Sequence, residues 1–353
     1  MTRRVNIKDV AQRAGVSIST VSRVLNETDY PVKPETRAKV LEATKELGFK
    51  PNDLARGLLS SKTRIIGLII PDISNPYYPE LSLGVESTAS EHGYSVVFCN
   101  TGRDAERLEQ YVDVLLQKRA DGIILAGGGT QTKQVSQVLS DFDLAVALIG
   151  RHNLPFPSVQ IDNRTAAREA TSHLLELGHR RVAFISGPLN LTSVQDRLAG
   201  YQEAMVEHGL EHDSRLIREG DFGVQSGYSA AMALLKGQPR PTAIFAANDR
   251  MATSVISAAI DLGLRVPEDL SVVGFDNTVL ASQVRPSLTT VSVPAYEMGS
   301  AAMKLLIDTL SGKKCPQVVW LSTELVIRQS TGPPSEGDQS EVHTIEKKGE
   351  RQA

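Results

Sequence analysis

Apolar residues near the start of the chain recur at helical intervals. Ile7, Val10 and Ala14 are spaced three and four apart, which defines one face of a helix. Asn6 can cap that helix, with Asp9 in its first turn. Gly15 can end it by taking a positive φ cheaply. Val16 follows as an apolar plug. Ser17 then caps a second helix, on which Val21, Val24 and Leu25 face inward and Ser19, Thr20, Ser22, Arg23 and Asn26 lie on or near the outer side. Pro34 suits the first position of a third helix, with Val40, Ala43, Thr44 and Leu47 as its inner stripe and Gly48 as its stop. The next stretch, 51–62, has Leu54, Ala55 and Leu58 at helical spacing. It spans under three turns and contains Gly57, which costs about 1 kcal/mol relative to Ala. Alone it should be largely unfolded.

Beyond residue 62 the pattern changes. Short apolar runs recur at Ile65–Ile70, Ser95–Cys99, Gly122–Ala126, Ala145–Ile149, Val182–Ser186, Ala243–Ala247 and Ser271–Phe275. Between them lie helical patterns, such as Leu81, Val85 and Ala89, or Ala170, Leu174 and Leu177. Near-continuous apolar strands alternating with amphipathic helices predict an α/β fold of parallel sheets covered on both faces. Roughly 270 residues exceed one comfortable core of this type, so two doubly wound lobes with a cleft between them are expected. Ligands in such folds bind outside the carboxyl ends of strands. The residues standing there are Asp72 to Tyr78 after the first run, Arg151 after the fourth, Asn248 and Asp249 after Ala247, and Asp276 after Phe275. Ser193 and Arg197 follow the Gly187-Pro188 loop, and Phe222 follows Gly220-Asp221. Carboxylate, amide and guanidinium suit hydroxyl groups, and aromatic faces suit C–H patches, so the set fits a polyol.

Charge divides along the same boundary. The whole chain has 38 Lys/Arg and 41 Asp/Glu, so 38 − 41 = −3. Residues 1–62 hold 12 and 7, giving +5, and the remainder holds 26 and 34, giving −8. A small basic head therefore sits on an acidic body, and the near-neutral total does not argue against nucleic acid. Two cysteines, Cys99 and Cys315, form no framework, and reduced thiols fit a cytosolic protein. The N-terminus carries no secretory signal, and no run reaches the roughly 18 apolar residues of a membrane span.

A helix, a tight Gly turn and a short second helix rich in hydroxyls with one Arg form the pattern of a helix-turn-helix. Such a second helix can enter a DNA major groove about 12 Å wide, where small hydroxyl residues donate to phosphates and a guanidinium reads guanine. The run Ile7 to Asn26, together with Thr36-Arg37 through Asn52, resembles the DNA-binding head of the LacI family of bacterial repressors. The resemblance implies that Ile18 and Ser19 are the variable base-reading pair and Arg23 the other base reader. Ser17, Thr20, Ser22 and Asn26 are the groups expected to position the head on phosphates. Ile18 cannot hydrogen-bond a base edge, so an apolar contact, such as a thymine methyl, is expected. The family uses the segment after the head as a hinge helix that forms on operator DNA. Asn52, Ala55 and Leu58 are its expected contacts, with Leu58 wedged between base pairs of the minor groove. Lys33 stands where the family often has a capping Ser.

Residues 64–328 resemble the periplasmic sugar-binding proteins, whose fold the LacI family shares. Ser74-Asn75-Pro76-Tyr77-Tyr78 matches a motif in which Asn75 binds hydroxyls and the rings flank the ligand. Arg197, Phe222, Asn248 and Asp276 match effector-binding positions. Gly150 and Val293 stand where many sugar binders have Asp and Gln, and Leu191 where purine-responsive relatives have Arg. The resemblance thus implies two missing sugar contacts and disfavours a purine. There is no G-x-S-x-G and no phosphate-binding loop, so no enzyme is expected, and no cofactor or metal site either. The expected layout is a DNA-binding head at 1–50, a hinge at 51–62, and a core at 63–330 for effector binding and dimerisation. Within the core, one lobe takes about 63–161 plus 294–322, and the other takes 162–293 plus 323–330. A disordered tail is expected at 331–353. With only Val342 and Ile345 apolar in the tail's interior, a homodimer is expected rather than a tetramer. The expected function is a cytoplasmic repressor that binds a palindromic double-stranded operator. Its expected effector is a small sugar, sugar phosphate or sugar acid, and no membrane is involved. A stand-alone sugar carrier and a sugar-modifying enzyme are the alternatives.

Overall fold

The structure is a computed structural model. It describes residues 5–25, 30–49, 63–127, 137, 139, 144–152, 154–211 and 213–335. Asn26, the hinge with Asn52, Ala55 and Leu58, and the tail beyond Ser335 lie outside the described residues. The chain divides into two compact units, Met1–Arg64 and Ile65–Ala353.

The first unit contains α1 (Ile7–Ala14), α2 (Ile18–Leu25) and α3 (Pro34–Glu46). The start of α1 is fixed by reciprocal capping. Asn6 Oδ1 accepts from the backbone N–H of Lys8 and Asp9, and Asp9 Oδ2 accepts from the Asn6 N–H at 2.8 Å. Gly15 ends α1 at φ 66, so the chain turns without a Cβ penalty. Ser17 Oγ accepts from the Thr20 N–H at 3.1 Å and so opens α2. Val10, Ala11, Val21, Val24, Val40 and Ala43 make the core of this unit. Lys33 provides no side-chain cap for α3, whose start rests on Pro34.

The second unit contains two six-stranded sheets. In the first, the order is β11 (Val318–Leu321), β5 (Ser158–Ile161), β4 (Ala145–Ile149), β3 (Gly122–Ala126), β1 (Ile65–Ile70) and β2 (Ser95–Asn100). All its pairings are parallel. In the second, the order is β12 (Glu324–Val326), β10 (Thr289–Ser292), β9 (Ser271–Asp276), β8 (Ala243–Ala246), β6 (Val182–Ser186) and β7 (Ile217–Glu219). Here β12 runs antiparallel to β10 and the remaining pairings are parallel. The chain passes between the sheets after β5, after β10 and again after β11. Each sheet with its helices forms one lobe, and these crossings lie between them.

Helices cover the sheets as the apolar stripes require. Helix Ala295–Leu310 packs on helix Tyr77–Glu91 and reaches β3, β4 and β5. Helix Asn163–Glu176 packs against helix Thr192–Glu207. Phe184, Tyr201, Phe245 and Phe275 form an aromatic row in the second lobe, with the Tyr201 hydroxyl donating to Val182 O. The tail expected from residue 331 begins as ordered chain instead. Thr331 Oγ1 is bonded to His173, and Gly332 O to His179 and Ser271. A polar composition suggested disorder there, but buried His179 and Ser271 supply partners that sequence distance concealed.

Candidate functional site

Strand ends build the cleft of the second unit. From the first lobe come Asn75, Tyr77 and Tyr78 after β1, and Arg151 after β4. From the second come Ser193, Arg197, Phe222 and Asp276. These eight expected residues line one cavity. Gly150, Leu191 and Val293, the three positions that depart from the sugar-binder pattern, line it too.

Arg197 is the best-held side chain. Its Nε donates to Asn163 Oδ1 at 2.8 Å, its Nη1 donates to Ala247 O, and its guanidinium lies 3.6 Å from the Phe275 ring centroid. Burial pushes its pKa down, and Asp276 opposes that shift. Asp276 ends β9 at φ 111, which turns its side chain out of the strand. Burial raises its carboxyl well above the ordinary range, although Arg197 pulls the other way. Among the described residues no protein donor is hydrogen-bonded to this carboxyl group, which leaves its oxygens to a ligand. Tyr77 and Tyr78 meet edge to face at 5.1 Å. Burial raises both phenols, that of Tyr78 to about 12, so both are neutral donors at pH 7. Asn75 Oδ1 accepts from the Tyr77 N–H, which sets the turn into the helix.

Phe222 sits at φ 67 on the loop after β7. Its ring occupies the space beside Gly187, where an added Cβ would lie 2.2 Å from Cζ. Only glycine at 187 lets the ring reach the cleft.

Asp72 and Asn248 do not line the cavity. Asn248 caps the helix Asp249–Asp261, accepting from the Met251 N–H, and its amide donates to Phe222 O at 3.1 Å. Asp72 closes the β1 turn through Ser74 and pairs with Arg250 of the second lobe at 2.8 Å. Burial alone would raise the Asp72 carboxyl, but Ser74 and Arg250 together hold it below the usual range. Arg151 makes a second link between lobes, giving two bonds of 2.8 and 2.9 Å to Asp196. Arg103, Asn163 and Met298 also line the cavity, with no local pattern in the sequence to mark them. Arg103 and Met298 fall in loops or helix stripes that read as solvated surface or core. Asn163 begins a helix just beyond β5, a strand too short to be read.

In the first unit, the outer face of α2 carries the expected DNA-reading groups. Ile18 is 44% exposed, Ser17, Ser19 and Arg23 are exposed, and Thr20 and Ser22 are half-buried. Ser17 Oγ lies 2.8 Å from the hydroxyls of both Ser19 and Thr20. The Arg23 guanidinium lies 4.0 Å from the ring centroid of exposed Tyr30.

With this geometry in place, similarity to known proteins is decisive. Residues 6–52 match the family described as "Bacterial regulatory proteins, lacI family", and residues 171–331 match the periplasmic binding protein-like domain. The chain is 40% identical over 333 residues to catabolite control protein A of Priestia megaterium, covering 93% of this chain and 99% of that protein. The chain belongs to the LacI family. It is a transcriptional regulator with a helix-turn-helix head, and it is not an enzyme. A solved lac repressor dimer bound to operator and the anti-inducer ONPF matches with a TM-score of 0.85 at 30% identity, covering 94% of this chain and 100% of that one. The solved complex of the transcriptional regulator CelR with cellobiose matches with a TM-score of 0.71 at 35% identity, covering 93% and 100%. Among the described residues, no helix is long and apolar enough to cross a membrane.

Proposed function

We propose that this LacI-family regulator is a homodimeric repressor that binds a palindromic operator and responds to a small sugar or sugar-derived effector in the cleft. The observation that carries this reading is the joint lining of one cavity by Asn75, Tyr77, Tyr78, Arg197, Phe222 and Asp276. Hydroxyl-matching polar groups and aromatic faces from two lobes suit a polyol. A relative solved with cellobiose and another solved with ONPF and operator support the same reading.

The roles follow the expected layout. Residues 1–50 read DNA, with Arg23, Ile18 and Ser19 at base edges and the α2 hydroxyls on phosphates. Residues 51–62 form the hinge, with Asn52, Ala55 and Leu58 as minor-groove contacts. A cytoplasmic location follows from a role on the chromosome. A two-fold dimer demands two-fold DNA. Dimerisation is supported by apolar exposure on the first lobe: Leu83 is 61% exposed, and Val97 and Phe98 on edge strand β2 are 42% and 44% exposed. The effector acts by binding two lobe arrangements unequally. The ion pairs Asp72–Arg250 and Arg151–Asp196 hold the arrangement seen here.

The test is an operator selection from random duplex DNA, followed by binding titrations with and without sugars. A palindromic consensus, a steep salt dependence and a sugar-dependent affinity are the expected results. An asymmetric consensus, or an affinity insensitive to every sugar and sugar derivative, would sink the reading.

A further inference from the structure

We propose that the effector is an acidic polyol, a sugar bearing a carboxylate or phosphate group, and that Arg103 receives the acidic group. This inference rests on the sugar-binding reading of the cleft and narrows it.

Charge at the cleft is unequal. Its described lining includes three guanidinium groups, those of Arg103, Arg151 and Arg197, and one carboxyl group, that of Asp276. Arg151 is engaged by Asp196 through two bonds. Arg197 is engaged by Asn163 and Ala247 and faces Asp276. Arg103 stands apart. Among the described residues it makes no ion pair and no side-chain hydrogen bond. Its guanidinium lies 4.8 Å from the Phe222 ring centroid, which leaves the donors along its edge unspent. A carboxylate that feels its charge, Asp221, is bonded to Ser226 and to the Gly223 N–H. The hydroxyls of a neutral polyol can accept from these donors but leave the charge uncompensated, whereas a carboxylate or phosphate accepts two guanidinium donors at once and neutralises it. Gly150 adds to the imbalance, since an Asp there would have offset one of these charges.

Position agrees with charge. Arg103 follows Gly102 on the loop after β2, both at φ 64, and its N–H is held by Thr101 Oγ1. From there it lines two cavities, the cleft of about 80 Å³ and a neighbour of about 250 Å³. They also share Gly127 and Leu191. The cleft alone is small for a ligand, while the two together exceed the ~300 Å³ at which ligand pockets begin. A ligand whose hydroxyls meet Asp276 and Arg197 therefore extends past Arg103 into the second space. The carboxylate on that wall, Asp104, is taken up by the N–H groups of Glu106 and Arg107 at the start of helix Ala105–Gln117.

The experiment is calorimetric titration of the full-length protein at fixed ionic strength. The probes are glucose, glucuronate, gluconate, glucose 6-phosphate, ribose, ribose 5-phosphate and inorganic phosphate. At least one acidic sugar is expected to bind about tenfold or more tightly than its neutral parent. Glucuronate against glucose 6-phosphate tells carboxylate from phosphate. Arg103→Gln is expected to bring the acidic-to-neutral ratio close to one, and Arg103→Lys to keep most of it. The inference is overturned if neutral parents bind as tightly as acidic ones, or if Arg103→Gln leaves the ratio unchanged. Inorganic phosphate binding as tightly as the phosphosugars also overturns it, since the polyol would then contribute nothing. If no member of the panel binds while operator binding is intact, the sugar reading of the cleft fails with it.

Discussion

At the scale of single residues, buried carboxyls give the second lobe a distinctive pH response. Asp249 accepts from the Thr278 N–H at 2.6 Å and from the hydroxyls of Thr278 and Thr290 at 3.0 and 2.6 Å. Burial nevertheless pushes its pKa from 3.8 up to about 6, against the pull of those bonds. Below pH 3.8 the folded and unfolded chains both hold this proton, and between 3.8 and about 6 only the folded chain does. The stabilisation is therefore fully present below the lower value and is lost as pH rises through the upper one. Asp249→Asn keeps an oxygen acceptor and removes the charge. Its stability relative to wild type is expected to rise by about 2 kcal/mol between pH 4 and pH 7. Urea unfolding across that range measures it, and a pH-independent difference would contradict the assignment. Asn248 and Asp249 both stand after a strand and both are expected at the cleft, yet neither lines it. Asp249 is buried against Thr278 and Thr290, and the Asn248 side chain spans a helix start and Phe222. Sequence proximity to a strand end marks a region, and only the packed loops decide whether a side chain there turns into the cleft or into the protein.

At the scale of elements, caps and apolar stripes were legible because they depend on neighbours a few residues away. The Asn6–Asp9 capping pair, the left-handed Gly15 and the inward Val10, Val21, Val24 and Val40 all follow from local spacing. Asn6→Ala removes an acceptor for two amides and should destabilise the start of α1 by about 1 kcal/mol. Hydrogen exchange at the Lys8 and Asp9 amides should then speed up about fivefold, the factor that such an energy implies. Unchanged exchange would show that the cap carries no weight. Short strands without an apolar run of their own, unlike β8, were not legible. β7, β10 and β12 have three or four residues, and β10 reads Thr-Thr-Val-Ser without a long apolar run. Their pairing partners, not their own composition, make them strands. The same holds for β11, which completes the first sheet from a distant part of the chain by pairing with β5.

At the scale of the whole molecule, exposed apolar residues predict the assembly. Phe98 lies on edge strand β2 with its side chain 44% exposed, where a long apolar edge invites pairing or cover. Phe98→Lys places a charge on that surface and leaves β2 paired with β1. The variant is expected to shift from dimer to monomer in light scattering after size exclusion, and to lose operator affinity with it. A variant that remains dimeric at micromolar concentration would move the interface elsewhere.

The sequence by itself determined the basic helical head, the alternating parallel-sheet body and most of the residues that line the cleft. Each of these rests on short-range periodicity, on local charge, or on the rule that strand ends carry ligands. The tertiary structure decided what depends on partners far apart in the chain. It turned Asp72 and Arg151 into links between lobes and brought Thr331 and Gly332 against His173, His179 and Ser271. It also set the Arg103 guanidinium beside the Phe222 ring at the wall of the cleft. Periodicity reports which face of an element is buried. It does not report which long-range neighbour meets that face, and the function of a cleft residue is set by that neighbour.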